Sequence, residues 1–267
     1  MVASSHLVDL QIVPQFHLED SITAHWATVG LCELASANVV GYQTKALRSG
    51  FTATGASFVN VTNGTIKLGD IKISGYGDDG YGDNMIIVQT LTSNGKTKDK
   101  YYWADYTEGE VTWYGWYNAE WDICYNEVPL APGDGLWIQS PSTNISIQNA
   151  GAVSNESLPV NLTAGGFKLI ANPMPTSINL GLITVSGYGN EYCDNMIIAQ
   201  TLTENGKADA KYYWVDYSEE EVTWYGWYNT EWNVDYNSVP LAAGVGLWIQ
   251  APDGNALTIT FPSPIAE

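Results

Sequence analysis

"MIIVQTLTSNGKTKDKYYWADYTEGEVTWYGWY", Met85 to Tyr117, reads as three strands and two turns in order. Met85–Thr92 is a mostly apolar run rich in strand-forming side chains. Asn94-Gly95 supplies the positive φ angles of a tight hairpin. Asp99–Tyr106 forms the return strand, Gly109 marks the next turn, and Glu110–Tyr117 is the third strand. Downstream, "VPLAPGDGLWIQSP" (Val128–Pro141) places a Pro/Gly turn before a further strand, "GLWIQ". Hairpins at this spacing, with no amphipathic helix between them, predict an antiparallel sandwich or barrel.

The same text occurs twice. "DNMIIVQTLTSNGKTKDKYYWADYTEGEVTWYGWYNAEWD" begins at Asp83, and "DNMIIAQTLTENGKADAKYYWVDYSEEEVTWYGWYNTEWN" begins at Asp194, a shift of 111 (194 − 83). Most positions from Asp83 to Pro141 are identical to their partners. "LGDIKISGYG" (Leu68–Gly77) aligns with "LGLITVSGYG" (Leu180–Gly189) at a shift of 112 (180 − 68), so the second loop is one residue shorter. A period this long is that of a domain, not of a solenoid repeat. The expected architecture is all-β: two homologous tandem antiparallel sandwich or barrel modules, residues 38–152 and 153–267, after an extended N-terminal segment, 1–37. That segment alternates loosely and is interrupted by Pro14. It either completes the first module as a strand or reaches into a neighbouring chain.

Composition narrows the function. The chain has 267 residues, with 29 acidic and 10 basic, a formal charge of −19. Such a chain repels phosphate backbones, which argues against nucleic acid as a partner, and it suits anionic membranes no better. No apolar run is long enough for a membrane helix. Few charges, 11 Trp, 17 Tyr and abundant small polar residues point to an extracellular β protein. "MVASSHLVDLQIVPQ" lacks the basic start and apolar block of a signal peptide, so an export signal is expected outside this sequence. Cys32, Cys124 and Cys193 are an odd number, and no spacing among them suits a metal knuckle; free thiols are expected.

The second module carries "AGGFKLIANPMPTSINLGLI", "DNMIIAQ", "YYW" and "LAAGVGLWIQAPDGNALTITF". This resembles a β module common in bacterial surface and secreted proteins, with a "GWNLIGNP"-like opening and an "L-x-P-G-x-G-F-W-V" close. Gly166 to Pro173 matches the opening, and Leu241 to Ile249 the close, with Ala243 where Pro is usual. The first module keeps that proline as Pro132 but has only a blurred opening. The resemblance implies an extracellular bacterial β fold and supplies no catalytic residues.

Each module holds five tryptophans, more than a core of this size needs. Strand alternation puts Val111, Trp113 and Gly115 on one face and Thr112, Tyr114 and Trp116 on the other. The second set is expected to face outward, with Trp121 from the following loop. The candidate glycan-stacking rings are therefore Tyr114, Trp116, Trp121, Tyr225, Trp227 and Trp232. Glu120, Asp122, Glu231 and Asn233 are the polar companions that would take sugar hydroxyls. The competing readings are a subunit interface, where Trp and Tyr are also enriched, and plain core. Asp78, Asp79 and Asp83, in a Gly-rich loop, offer oxygen ligands for Ca²⁺. The second copy loses an acid and a residue there, which favours a solvated turn; otherwise no cofactor is expected.

All three histidines lie in the N-terminal segment, and no Ser-His-Asp or Cys-His pattern is repeated, so no enzyme is expected. Sequons stand at Asn60, Asn63, Asn144, Asn155 and Asn161. The function expected is a glycan-binding or adhesive protein. The alternative is a self-assembling subunit of a surface filament or layer, with the aromatic face and N-terminal segment at subunit contacts.

Overall fold

The computed structural model describes residues 22–27 (backbone only), 40–58, 65–75, 86–91, 97–141, 144–154, 156–188, 197–203, 205 and 207–263. Asp78, Asp79 and Asp83, the Asn94-Gly95 turn, Cys32, Cys193 and the sequons at Asn60, Asn63 and Asn155 lie outside the described residues.

The strands of the first half are β1 (Ile22–Ala27), β2 (Val40–Ala46), β3 (Gly50–Gly55), β4 (Ile66–Lys67), β5 (Lys72–Ser74), β6 (Ile87–Leu91), β7 (Thr97–Glu108), β8 (Val111–Tyr117), β9 (Pro129–Leu130), β10 (Gly135–Ser140) and β11 (Ser146–Ala152). Those of the second are β12 (Leu158–Leu162), β13 (Phe167–Ala171), β14 (Ile178–Asn179), β15 (Thr184–Ser186), β16 (Ile198–Leu202), β17 (Ala208–Glu219), β18 (Val222–Tyr228), β19 (Pro240–Leu241), β20 (Gly246–Gln250) and β21 (Leu257–Phe261). The chain is all-β, built from several antiparallel sheets in a sandwich-like arrangement, with no closed barrel among the described residues.

Two five-stranded sheets dominate, ordered β3-β10-β6-β7-β8 and β13-β20-β16-β17-β18. Their long hairpins share one register: Tyr106 opposes Trp113 in the first and Tyr217 opposes Trp224 in the second. A register shift interrupts both neighbouring pairs, between Gln89 and Leu91 and between Gln200 and Leu202. Smaller sheets cover the inner faces, β1-β2-β11-β5 on one side and β12-β21-β15 on the other. β1 pairs along the outer edge of β2, from Ile22 opposite Lys45 to Ala27 opposite Val40. This stretch of the N-terminal segment thus joins a sheet of its own chain.

Each half has its own core. Val88, Trp103, Trp116, Leu136, Ile138 and Ile147 fill the first; Ala199, Trp214, Trp227, Leu247, Ile249 and Ile259 fill the second. The period-two burial of β10, with Leu136, Ile138 and Ser140 inward, is what packing against one covering sheet demands.

The halves meet closely. Thr54 bridges Val245, and Asp134 bridges Ile170. Ala171 N donates to Gly133 O at 3.0 Å. Lys168 pairs with Asp134 at 3.1 Å. A Cβ on Gly135 would stand 2.5 Å from Leu169, and one on Gly246 would stand 2.7 Å from Ala53, so backbone and side chain touch where only glycine fits. From β2, Gln43 Nε2 donates to Ala243 O at 3.3 Å and Lys45 Nζ to Gly244 O at 2.9 Å. Lys45 is half-buried as a residue, but its ammonium sits within this junction, also 3.2 Å from Thr54 Oγ1. Burial first, and then Arg48, lower its pKa from 10.5 to about 7.

Candidate functional site

The hairpins β7–β8 and β17–β18 carry aromatic rings on both faces. On the inner face Trp103 opposes Trp116, and both are 0% exposed; Trp214 and Trp227 repeat the pair. The rings meet edge to face, 5.2 Å apart in the first pair and 5.3 Å in the second. The indole N–H of Trp116 donates to Ile71 O, and that of Trp227 to Ile183 O, each at 3.1 Å. Trp116 and Trp227 are therefore core residues that a sugar does not reach, which corrects the outward placement expected of them. Alternation groups the residues correctly, because Tyr114 does share a face with Trp116. It carries no information about which face the covering sheet takes.

Tyr114 and Tyr225 lie on that inner face two residues further out, where coverage falls away. They are 46% and 49% exposed. Each ring stands edge-on to the core tryptophan beside it, 5.3 Å for Tyr114 on Trp103 and 5.2 Å for Tyr225 on Trp214. Lys72 Nζ sits 4.9 Å over the Tyr114 ring centroid, a cation–π contact.

The outer face carries the extended platform. Tyr106 stacks on Trp113 with centroids 6.0 Å apart and planes at 21°; Tyr217 on Trp224 repeats this at 6.0 Å and 15°. Trp121 and Trp232 join from the following loops, with centroids 6.5 Å from Trp113 and 5.7 Å from Trp224. Trp113 Nε1 also donates to Trp121 O at 3.2 Å. All six rings are half-buried, so each keeps part of its surface in solvent. Tyr106, Trp113, Tyr217 and Trp224 are not among the rings that strand alternation selects as outward. Counting back from the Gly109-Glu110 turn pairs Glu108 with Val111 and hence Tyr106 with Trp113, so this cross-strand stack is legible in the sequence in principle.

The loop that delivers Trp121 is held by its own polar residues. Asn118 Nδ2 donates to Glu120 Oε2 at 2.9 Å and to Asp122 Oδ1 at 2.6 Å. Asn118 Oδ1 accepts the backbone N–H groups of Asp122 and Ile123, both at 3.1 Å. Asn229 repeats the arrangement with Glu231, Asn233 and Val234. The four polar companions therefore first fix the loop, and all four remain exposed beside the ladder. Within these turns Trp121 and Trp232 have φ of +63° and +57°, a conformation that costs a bulky residue energy. The clamp holds each ring against its neighbour despite that cost.

Asn126 and Asn237 complete the geometry, and no motif in the sequence singles them out. β8 is an edge strand, and Asn126 closes that edge: its Oδ1 accepts Trp116 N–H at 2.8 Å and its Nδ2 donates to Tyr114 O at 3.1 Å. Asn237 does the same for Trp227 and Tyr225. The amide occupies the space beside Gly115, where a Cβ would lie 2.1 Å from Asn126 Oδ1. The only sequence signal is the recurrence of Asn after Tyr in "YNEV" and "YNSV".

The surroundings are acidic. Asp105, Glu108, Glu110, Glu120 and Asp122 are exposed around the first hairpin and its loop; Glu219, Glu220, Glu221 and Glu231 are exposed around the second. Tyr188 hydroxyl donates to Asp216 Oδ2. Burial, followed by the neighbouring Cys124, pushes the Tyr117 phenol up. Cys124 is itself a free, exposed thiol. Among the described residues, no three His, Cys, Asp or Glu side chains are grouped to hold a metal ion. Among them too, no helix is long and apolar enough to cross a membrane. The arrangement offers half-exposed aromatic ring surface, with Trp121 and Trp232 inclined to their neighbours at 67° and 55°, edged by hydrogen-bonding groups. No protein-family model matches the chain, and no curated protein or solved structure matches it either.

Proposed function

We propose that this chain is a non-enzymatic, extracellular glycan-binding protein made of two copies of one β module, residues 38–152 and 153–267. The observation that supports this reading is the paired ladder, Tyr106–Trp113–Trp121 and Tyr217–Trp224–Trp232, held half-exposed with two tryptophans in left-handed backbone. Exposed aromatic ring surface suits the C–H face of a pyranose, and Glu120, Asp122, Glu231 and Asn233, exposed in the loops beside the rings, are the groups proposed to take its hydroxyls. The acidic rim disfavours uronate and sulfated polymers, so neutral glycans are the class proposed.

Affinity electrophoresis through gels of neutral polysaccharides tests the reading. The wild type is expected to be retarded on at least one polymer, and Trp113→Ala combined with Trp224→Ala is expected to run freely. Unretarded wild type on every neutral polymer sinks the proposal.

Assembly is the second reading, and one observation favours it. Val111, Ile123, Val222 and Val234 are 43–51% exposed next to the ladders, as at a protein contact. Under that reading light scattering finds oligomers that the same double substitution dissociates.

A further inference from the structure

The contacts between the halves are reciprocal. The Phe51–Trp137 stack corresponds to Phe167–Trp248, which equates β3 with β13 at a shift of 116 (167 − 51) and β10 with β20 at 111 (248 − 137). Under those shifts Thr54 corresponds to Ile170 (170 − 54 = 116) and Asp134 to Val245 (245 − 134 = 111). The bridge Thr54–Val245 thus has its counterpart in Ile170–Asp134. The approach of Gly135 to Leu169 is likewise repeated by Gly246 to Ala53, and Gly55 faces its own counterpart, Ala171. A contact in which residue i meets j and the equivalent of j meets the equivalent of i is isologous. The operation relating the halves is therefore a two-fold rotation, not a translation along a fibre. The bridges, the Lys168–Asp134 pair and the bonds from Gln43 and Lys45 fix it.

That symmetry decides how the ladders meet a polymer. A polysaccharide has a reducing and a non-reducing end, so a chain held in one given pose on a ladder has a defined direction there. A two-fold rotation preserves direction only along its own axis, and it displaces equivalent points perpendicular to that axis. A straight chain occupying one ladder thus never runs through the other in the equivalent pose.

We infer that the protein cross-bridges two separate strands of a neutral polysaccharide, one on each ladder, instead of gripping a single strand twice. The inference rests on the glycan reading above and gives it a mechanical consequence. Two-site avidity on one stiff strand held in the same pose at both ladders is excluded by that symmetry, while one protein between two strands makes a junction of a network.

The test uses the full chain with a stiff neutral polymer, hydroxyethylcellulose or mixed-linkage β-glucan, chosen by the retardation assay. Low-shear viscosity and light scattering are expected to rise several-fold at intermediate protein-to-polymer ratios and fall again in protein excess. Titration with a hexasaccharide of the same linkage is expected to give two equivalent sites per chain. Trp113→Ala or Trp224→Ala alone should halve the site number, leave the remaining site's affinity within about two-fold, and abolish the viscosity rise. Circular dichroism with a thermal melt checks that each variant is folded, and either one suffices.

Retardation of wild type without any viscosity rise, or a loss of polymer affinity of about tenfold or more in a folded single variant, overturns cross-bridging while leaving glycan binding intact. One hexasaccharide per chain overturns it equally. Absence of retardation on every polymer removes the glycan reading, and this inference with it.

Discussion

Truncating Trp116 empties a site in the core, whereas truncating Trp113 unstacks a surface ladder, although the two stand three residues apart. Trp116→Ala, or Trp227→Ala, is expected to cost about 3–5 kcal/mol of stability, the range for a fully buried large aromatic. Trp113→Ala is expected to cost about 1 kcal/mol, the scale of a lost aromatic pair. Denaturant unfolding followed by far-UV circular dichroism measures both, and equal losses would contradict the assignment of faces. A third position differs between the two hairpins. Gly109 turns the first hairpin at φ +60°, and Glu220 holds the matching turn at φ +52°. Nothing lies within 4 Å of the Cβ position at Gly109, so the difference is backbone strain and not fit. Glu220→Gly is expected to raise stability by about 1 kcal/mol, relieving a left-handed non-glycine residue. No change, or a fall, in the unfolding midpoint would count against strain at this turn.

At the scale of elements, β8 and β18 are edge strands, and among the described residues neither has a neighbouring strand on its outer side. An exposed edge is a template for pairing with another chain. Here Asn126 and Asn237 stand in for the missing strand by bonding one N–H and one C=O of each edge. Asn126→Ala is expected to cost about 1–3 kcal/mol, because it leaves two backbone groups without their partner. Hydrogen exchange at the Trp116 amide reads this directly. It is expected to accelerate in Asn126→Ala and to stay slow in Asn126→Asp, which retains the accepting oxygen. Equal exchange in wild type and Asn126→Ala would show that the amide is protected by something other than this cap.

At the scale of the whole molecule, the junction between the halves contains a buried amine. The Lys45 pKa is lowered to about 7 in the folded chain, against 10.5 for an ordinary lysine. Between those values the unfolded chain binds more protons than the folded one, so stability rises with pH across the window. Below about pH 7 the cost of burying the charge is fully present; above about 10.5 it is gone. The expected outcome is a wild-type stability that climbs from about pH 7 to about pH 10 relative to Lys45→Met, whose curve lacks this contribution. Parallel curves would place the amine in water.

How much is legible in the sequence differs by residue. The positions of the hairpin strands to within about two residues, the turn at Gly109 and the all-β class follow from local patterning, because backbone propensity and the two-residue period act over a few positions. The repeat fixes which residues correspond. Tyr106 with Trp113 is within reach of register counting. Trp116 is not, because alternation sorts side chains into two faces without naming the inner one. Asn126 lies beyond local patterning altogether: its partner is a backbone amide 10 residues away, brought beside it only when the chain folds back along the sheet edge.

The sequence by itself determined the strands of the aromatic hairpins, their antiparallel order, the acidic charge and the near-identity of the two aromatic segments. These are local or additive properties of the chain. Only the tertiary structure decided which aromatic face the covering sheet buries, that the polar companions clamp their own loops, and that the halves meet reciprocally. Face and junction depend on contacts between residues far apart in the chain, as when Gly55 meets Ala171 or Lys45 meets Gly244. No local pattern encodes such contacts, because they exist only once two separately formed sheets have packed.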